Sequence, residues 1–187
     1  MLIKEITDMT APLQKIPLGM IQKVENIKAQ LKLFQLTDRA TIRNDLRIDI
    51  KGDVKIRHHF QVKLQFGKIM GDFDVCYADN FNNLEDYPEY VEGDVLCKDS
   101  NLQSLHNIHK HVKYIGGEFY FAQKQGLPEN VLGIFFIEGL KRGISGAYAG
   151  KDIPFDGIMN KYLEEGRDLH GCQEALIEAG YEKQARI

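Results

Sequence analysis

Four times the chain writes an apolar residue, any residue, glycine, an acid and an apolar residue. The copies are Ile50-Lys51-Gly52-Asp53-Val54, Ile69-Met70-Gly71-Asp72-Phe73, Val91-Glu92-Gly93-Asp94-Val95 and Ile115-Gly116-Gly117-Glu118-Phe119. A fifth, decayed copy reads Val131-Leu132-Gly133-Ile134-Phe135. Successive glycines stand 19, 22, 24 and 16 residues apart. Self-similarity at a period of about 20–50 residues marks architectures in which each unit buries its apolar face on the next. A chain written this way is expected to stack one short unit on another.

After each glycine the apolar residues alternate as a short strand requires, with Val95 and Cys97 on one side and Leu96 on the other, and with Phe119 and Phe121 flanking Tyr120. The stretch VLCKDSNLQSL follows leucine-rich spacing, with Val95, Cys97, Leu102 and Leu105 as fill and Ser100 where asparagine usually sits. The expected fold class is therefore an α/β solenoid, a short, irregular leucine-rich-repeat-like stack of about five parallel strands with helical caps at both ends. Each glycine would turn the chain sharply into a strand, because glycine alone takes positive φ freely. The acid after it would either cap local backbone N–H groups or face water.

The flanks read as ends for such a stack. PLGMIQKVENIKAQLKLF spaces Met20, Ile21, Val24, Ile27 and Leu31 at helical intervals, so residues 1–45 form a helix-containing cap segment before the repeat at 46–144. In 145–187, Asp152 and Pro154 open one helix that Gly166 closes, and Asp168 opens a second that Gly180 stops. GLKRGISGAYAGKD lacks the spacing of a phosphate-binding loop, and Gly143 to Gly150 reads as a flexible link.

Composition narrows the function classes. With 187 residues and 43% hydrophobic content there is core for one domain. Three cysteines form no CxxC pair and follow no signal peptide, which fits a reducing cytoplasm, and no apolar run approaches a membrane span. Residues 1–68 hold 13 basic against 7 acidic side chains (+6) and residues 69–187 hold 11 against 20 (−9), together the net −3. Lys51, Lys55, Arg57, Lys63 and Lys68 could touch nucleic acid, but they are scattered and lack aromatic interleaving.

The coils and the tail IMNKYLEEGRDLHGCQEALIEAGYEKQARI together resemble the leucine-rich-repeat-like accessory proteins of large tailed bacteriophages. The resemblance covers roughly residues 50–187 and is most specific at Asn160, Lys161, Tyr162 and Leu163 with Cys172, Gln173, Leu176, Ala179 and Gly180. It departs at Ser100 and Asp79, which replace asparagine, and at FAQKQGLPENV, which loses the leucine spacing. It implies a non-enzymatic protein-binding module in the host cytoplasm that modulates a host protein, for instance a defence system, with no cofactor and no membrane contact. The alternatives are a structural or assembly protein and a nucleic-acid-directed protein.

The candidate partner surface is the outer face of the strands. If Phe73, Val75, Val95, Cys97, Phe119, Phe121, Ile134 and Phe136 point inward, strict alternation turns Asp72, Asp74, Asp94, Leu96, Glu118, Tyr120, Phe135 and Ile137 outward. That places an acidic row, Asp72, Asp94 and Glu118, beside an apolar patch of Leu96, Tyr120, Phe135 and Ile137, as a protein-binding surface requires. The opposing expectation is that the caps cover it. His106, His109 and His111, and the pair His58 and His59, stand at no customary metal-ligand spacing. Cys76, Cys97 and Cys172 occupy apolar positions and read as buried structural thiols rather than nucleophiles activated by His170.

Overall fold

The structure is a computed structural model that describes residues 18–57, 64–78, 81–121, 123, 126–145 and 154–187. His58, His59, Lys63, Asp79, Asp152 and residues 146–150 of the expected link lie outside them. Helix α1 (Leu18–Leu33) precedes strands β1 (Ala40–Ile42), β2 (Ile48–Ile50), β3 (Val54–Lys55), β4 (Phe66–Ile69), β5 (Phe73–Asp74), β6 (Tyr90–Val91) and β7 (Val95–Leu96). The short helix α2 (Ile108–His111) leads to β8 (Tyr114–Ile115), β9 (Glu118–Tyr120) and β10 (Arg142–Ile144), and helices α3 (Pro154–Glu164) and α4 (Leu169–Glu178) follow.

These strands form two sheets of five, in the orders β1-β2-β4-β6-β8 and β10-β9-β7-β5-β3. The first is mixed, since β1 runs antiparallel to β2, and the second is parallel throughout. This corrects the expected single stack of about five parallel strands with helical caps: the chain is a mixed α/β fold of two sheets. The apolar residues before each glycine, to which the repeat assigned no element, belong to strands of the mixed sheet. Ile50, Ile69, Val91 and Ile115 of that sheet and Val54, Phe73, Val95 and Phe119 of the other are at most 1% exposed and share one core. Phe73 anchors it, edge-on to Phe66 at 5.7 Å and to Phe81 and Tyr87 at 5.8 Å, ring geometries that add to the burial itself.

The Gly-acid pair is the corner between the sheets, and its chemistry differs from the expectation. Positive φ occurs at Gly52 (89°) but not at Gly71, Gly93 or Gly117. Those three are glycine because nothing larger fits: a Cβ at Gly93 would lie 2.1 Å from the Asp72 carboxylate and 2.9 Å from Gly71 backbone. The acids capture N–H groups one layer on rather than local ones. The Asp53 carboxylate accepts from the Asp72 N–H (2.9 Å), Asp72 from the Asp94 N–H (2.8 Å) and Asp94 from the Glu118 N–H (2.8 Å). Beside these rungs the glycine N–H groups run along the same axis, Gly93 to the Gly71 carbonyl (3.0 Å) and Gly117 to the Gly93 carbonyl (3.1 Å).

The decayed fifth copy is displaced. Val131–Phe136 forms a 3-10 helix, not a strand, and the fifth layer is built later, where Glu138 bridges Tyr114 and β10 pairs with β9. Gly143 and Ile144, expected in a flexible link, belong to that strand. The 3-10 helix also overturns the alternation there. Phe135 and Ile137 are 5% and 0% exposed, whereas Phe136, expected inside, is 49% exposed.

The two ends of the fold are closed unequally. On the open edge of β10 the Gly143 N–H donates to Asn160 Oδ1 (2.9 Å) and the Ser145 N–H to Asp156 Oδ1 (2.9 Å), so α3 satisfies an edge that would otherwise invite pairing. Arg167 donates to the Phe135, Ile137 and Leu140 carbonyls at 2.9, 2.7 and 2.8 Å, pinning the turn between α3 and α4 to the end of the 3-10 helix. Asp168 caps α4 by accepting from the Gly171 N–H (3.0 Å). At the other end α1 buries Ile27 and Leu31 and leaves Ile21 and Leu33 exposed.

Gly93→Ala is expected to cost about 1–3 kcal/mol through overpacking, and Asp72→Ala about 1–2 kcal/mol through the orphaned Asp94 N–H. Because the carboxylate is the first atom group that the new methyl would meet, the double variant should be less destabilised than the sum. Urea denaturation of the four proteins checks this, and strict additivity would contradict the steric account of the glycine.

Candidate functional site

The outer face of the parallel sheet carries two rows set by its register. One row runs Lys55, Asp74, Leu96, Tyr120 and Ile144, and the row beside it ends with Glu118 opposite Arg142. Six of the eight expected surface residues, Asp72, Asp74, Asp94, Leu96, Glu118 and Tyr120, are partly exposed here. Phe135 and Ile137 are not brought to this face. Ile144 holds the place in the row that was expected of Phe135.

Several of these side chains already have work inside the fold. Asp72 and Asp94 each give one oxygen to the ladder, and neither carboxylate has a cationic partner among the described residues. Glu118 turns instead to the Tyr120 hydroxyl and to Arg142, 3.8 Å away. That hydrogen bond, then burial and the neighbouring Asp94 charge, push the Tyr120 phenol up to about 12. Asp74 holds Arg57 through both oxygens and also accepts from the Cys76 N–H (3.1 Å). Burial pushes the Asp74 carboxyl up, but Arg57 and the Cys76 N–H outweigh it, and the group sits below its ordinary 3.8. What the row leaves unengaged is apolar surface on Leu96 and Ile144 with the Tyr120 ring between them.

Other candidate chemistries meet closed positions. The Cys97 thiol is fully buried, donates to the Tyr120 carbonyl (3.2 Å) and is pushed up to about 12 by burial. Burial does the same to Cys172 and raises Cys76. A thiol held protonated is the opposite of an activated nucleophile. His109 lies against Phe136, ring centroids 5.0 Å apart, and burial lowers its pKa. Among the described residues no three His, Cys, Asp or Glu side chains gather as a metal would need, and no helix is long and apolar enough to cross a membrane. Of the basic residues weighed for nucleic acid, Arg57 is held by Asp74, Lys55 lies 3.9 Å from the same carboxylate, and Lys68 pairs with Glu92 at 2.9 Å.

The outer face of the mixed sheet was not anticipated. Lys68 sits 4.5 Å over the Tyr90 ring, and Tyr90 stacks on Tyr114 at 4.2 Å and 7°. The signal was present, since each tyrosine stands three residues before a corner glycine. Arg43 and Arg47 meet on Glu89, at 3.6 and 2.6 Å, and Arg43 also holds Asp49 at 2.7 Å.

A carboxyl whose folded pKa lies below its unfolded one contributes stability that is present above the unfolded value and lost as pH falls through the folded one. The Asp74–Arg57 pair is therefore expected to stabilise the fold at neutral pH, and the melting temperatures of wild type and Asp74→Asn to converge as pH falls below the ordinary carboxylate range. A gap that stays constant across that range would show that the pair carries none of the acid sensitivity. No family model matches the chain, and neither a curated protein nor a solved structure shows significant similarity to it.

Proposed function

We propose that this chain is a non-enzymatic protein-binding module whose partner docks on the outer face of the parallel sheet. One observation carries the reading: Leu96, Tyr120 and Ile144 lie one strand apart in register and present a partly exposed apolar row. A face meant only for water would place polar side chains there. The flanking carboxylates of Asp72 and Asp94 give that row a polar rim, the usual arrangement of an interface with an apolar centre. The Glu118–Tyr120 hydrogen bond holds the central ring in one rotamer, which lowers the entropy lost on docking. The resemblance to phage accessory proteins makes a protein of the bacterial host the proposed partner.

Leu96→Lys combined with Ile144→Lys is expected to abolish capture of the partner in pull-downs from host cells while circular dichroism stays unchanged. Glu165→Ala, an exposed position after α3, serves as the control that keeps capture. Undiminished capture by the lysine variant would refute the sheet-face assignment.

A further inference from the structure

We infer that the groove between α1 and β1 is a second docking site, for an extended segment of another protein in which apolar and acidic residues alternate, and that this segment joins the mixed sheet as a sixth strand. The inference rests on backbone geometry and is independent of the parallel-sheet face. Among the described residues strand β1 is the edge of its sheet and pairs with β2 alone, in the register Ala40 with Ile50, Thr41 with Asp49 and Ile42 with Ile48. The Lys51 N–H donates to the Arg39 carbonyl and the Arg43 N–H to the Arg47 carbonyl. In an antiparallel ladder hydrogen-bonded pairs alternate with pairs that are not. The Arg39 carbonyl, the Thr41 backbone groups and the Arg43 N–H therefore face β2 and its flanks, while the groups of Ala40 and Ile42 point away; the Arg39 N–H goes to the Leu36 carbonyl and the Arg43 carbonyl takes the Leu46 N–H. The Ala40 N–H is used by the Thr37 carbonyl. The Ala40 carbonyl and both backbone groups of Ile42 are left without a backbone partner among the described residues.

That edge faces a groove of about 600 Å³ whose opposite wall is α1, with Val24, Ala29 and Leu31 across from Ala40 and Ile42. Unpaired strand groups beside an apolar helix wall are the two elements of strand addition: the ladder supplies affinity and the wall reads alternate side chains. The helix wall from Val24 to Lys32 spans about 12 Å at 1.5 Å per residue, room for about four residues of extended chain. The β10 edge of the other sheet is closed by Asn160 and Asp156, and β1 has no such cover among the described residues.

Charge selects the occupant. Lys28 and Lys32 line the groove with Glu25. Lys28 is paired with Glu25 at 2.9 Å, and Lys32 has no carboxylate partner among the described residues. The rim is left net positive, so an acidic segment is favoured over a basic one.

Fluorescence anisotropy of the full chain with a labelled octapeptide of alternating glutamate and valine tests this. Binding is expected to be at least about tenfold tighter than for the lysine-valine peptide, and at least about tenfold weaker when alternate N–H groups of the peptide are methylated. The exposed pair Lys28→Glu with Lys32→Glu should reverse the charge preference without touching the core. Equal affinity for both peptides, indifference to N-methylation, or indifference to the charge reversal overturns the assignment. So does a flat titration, which is the result expected if residues 1–17 or a second copy of the chain already fill the groove.

Discussion

The corner rung, a carboxylate of one layer accepting the backbone N–H of the next, is the interaction on which the two-sheet arrangement depends. Each corner must leave the mixed sheet and enter the parallel sheet within a few residues, and at that point the ladders of both sheets are interrupted. The carboxylate supplies the missing acceptor, and the preceding residue must be glycine because the same oxygen occupies the space of its Cβ. Asp49 repeats the device within the mixed sheet, accepting the Lys68 N–H at 2.7 Å where the residue before is Gly67. The fifth corner shows the converse. There the Lys141 N–H bonds the Gly117 carbonyl (3.0 Å), so lysine stands in the glycine column, and the acid beneath, Glu118, has turned its carboxylate to Tyr120 and Arg142. Gly67, Gly71, Gly93 and Gly117 each stand against such a carboxylate, and where it is withdrawn, at Lys141, a side chain is admitted.

That dependence has an electrostatic cost. Asp53, Asp72 and Asp94 sit one strand spacing apart, about 5 Å, and like charges at this separation repel unless fixed dipoles or counter-charges compensate. The backbone N–H groups compensate at all three, the Arg39 guanidinium, donating to the Asp53 carbonyl at 3.1 Å, stands beside the first, and Asp72 and Asp94 have no ion-pair partner among the described residues. The parallel sheet thus presents a negative edge beside the apolar row of Leu96, Tyr120 and Ile144. The charge asymmetry of the sequence, basic before residue 69 and acidic after it, is partly this row and partly the arginines at the first layers.

The corner glycines, the helices and the inward rows around Phe73, Val95 and Phe119 were legible in the sequence because they follow local periods, 2 in strands and 3.6 in helices. The number of sheets was not. A two-residue strand such as Tyr90–Val91 has no period to detect, and it becomes a strand only through pairing with Lys68–Ile69 and Tyr114–Ile115 far away in the chain. The error at Phe135 and Ile137 is partly one of parity: counted from Gly133 as in the other copies, Phe135 falls inward and Phe136 outward, the reverse of the expected alternation. Gly133 stands 16 residues after Gly117 and imitates a corner, whereas Arg167 pins the Phe135, Ile137 and Leu140 carbonyls from a distance that no local pattern encodes. The acid's role was left open between local capping and exposure because neither alternative included the next layer.

The two outer faces differ in how far their aromatic side chains are already satisfied. On the mixed sheet Tyr90 has the Lys68 ammonium on one ring face and Tyr114 on the other, and a Cβ at Gly139 would lie 2.5 Å from the far side of Tyr114. That column is filled from end to end, and a ligand would have to displace a cation–π contact and a stacked pair to reach a ring face. On the parallel sheet only the Tyr120 hydroxyl is engaged, at Glu118, and its row neighbours Leu96 and Ile144 have no group to satisfy. Burying them against a partner gains the hydrophobic term of about 25 cal/mol per Å² without breaking an internal contact. The same accounting separates the strand edges, since β10 would have to give up Asn160 and Asp156 before it could pair, while β1 has no such contact to give up among the described residues.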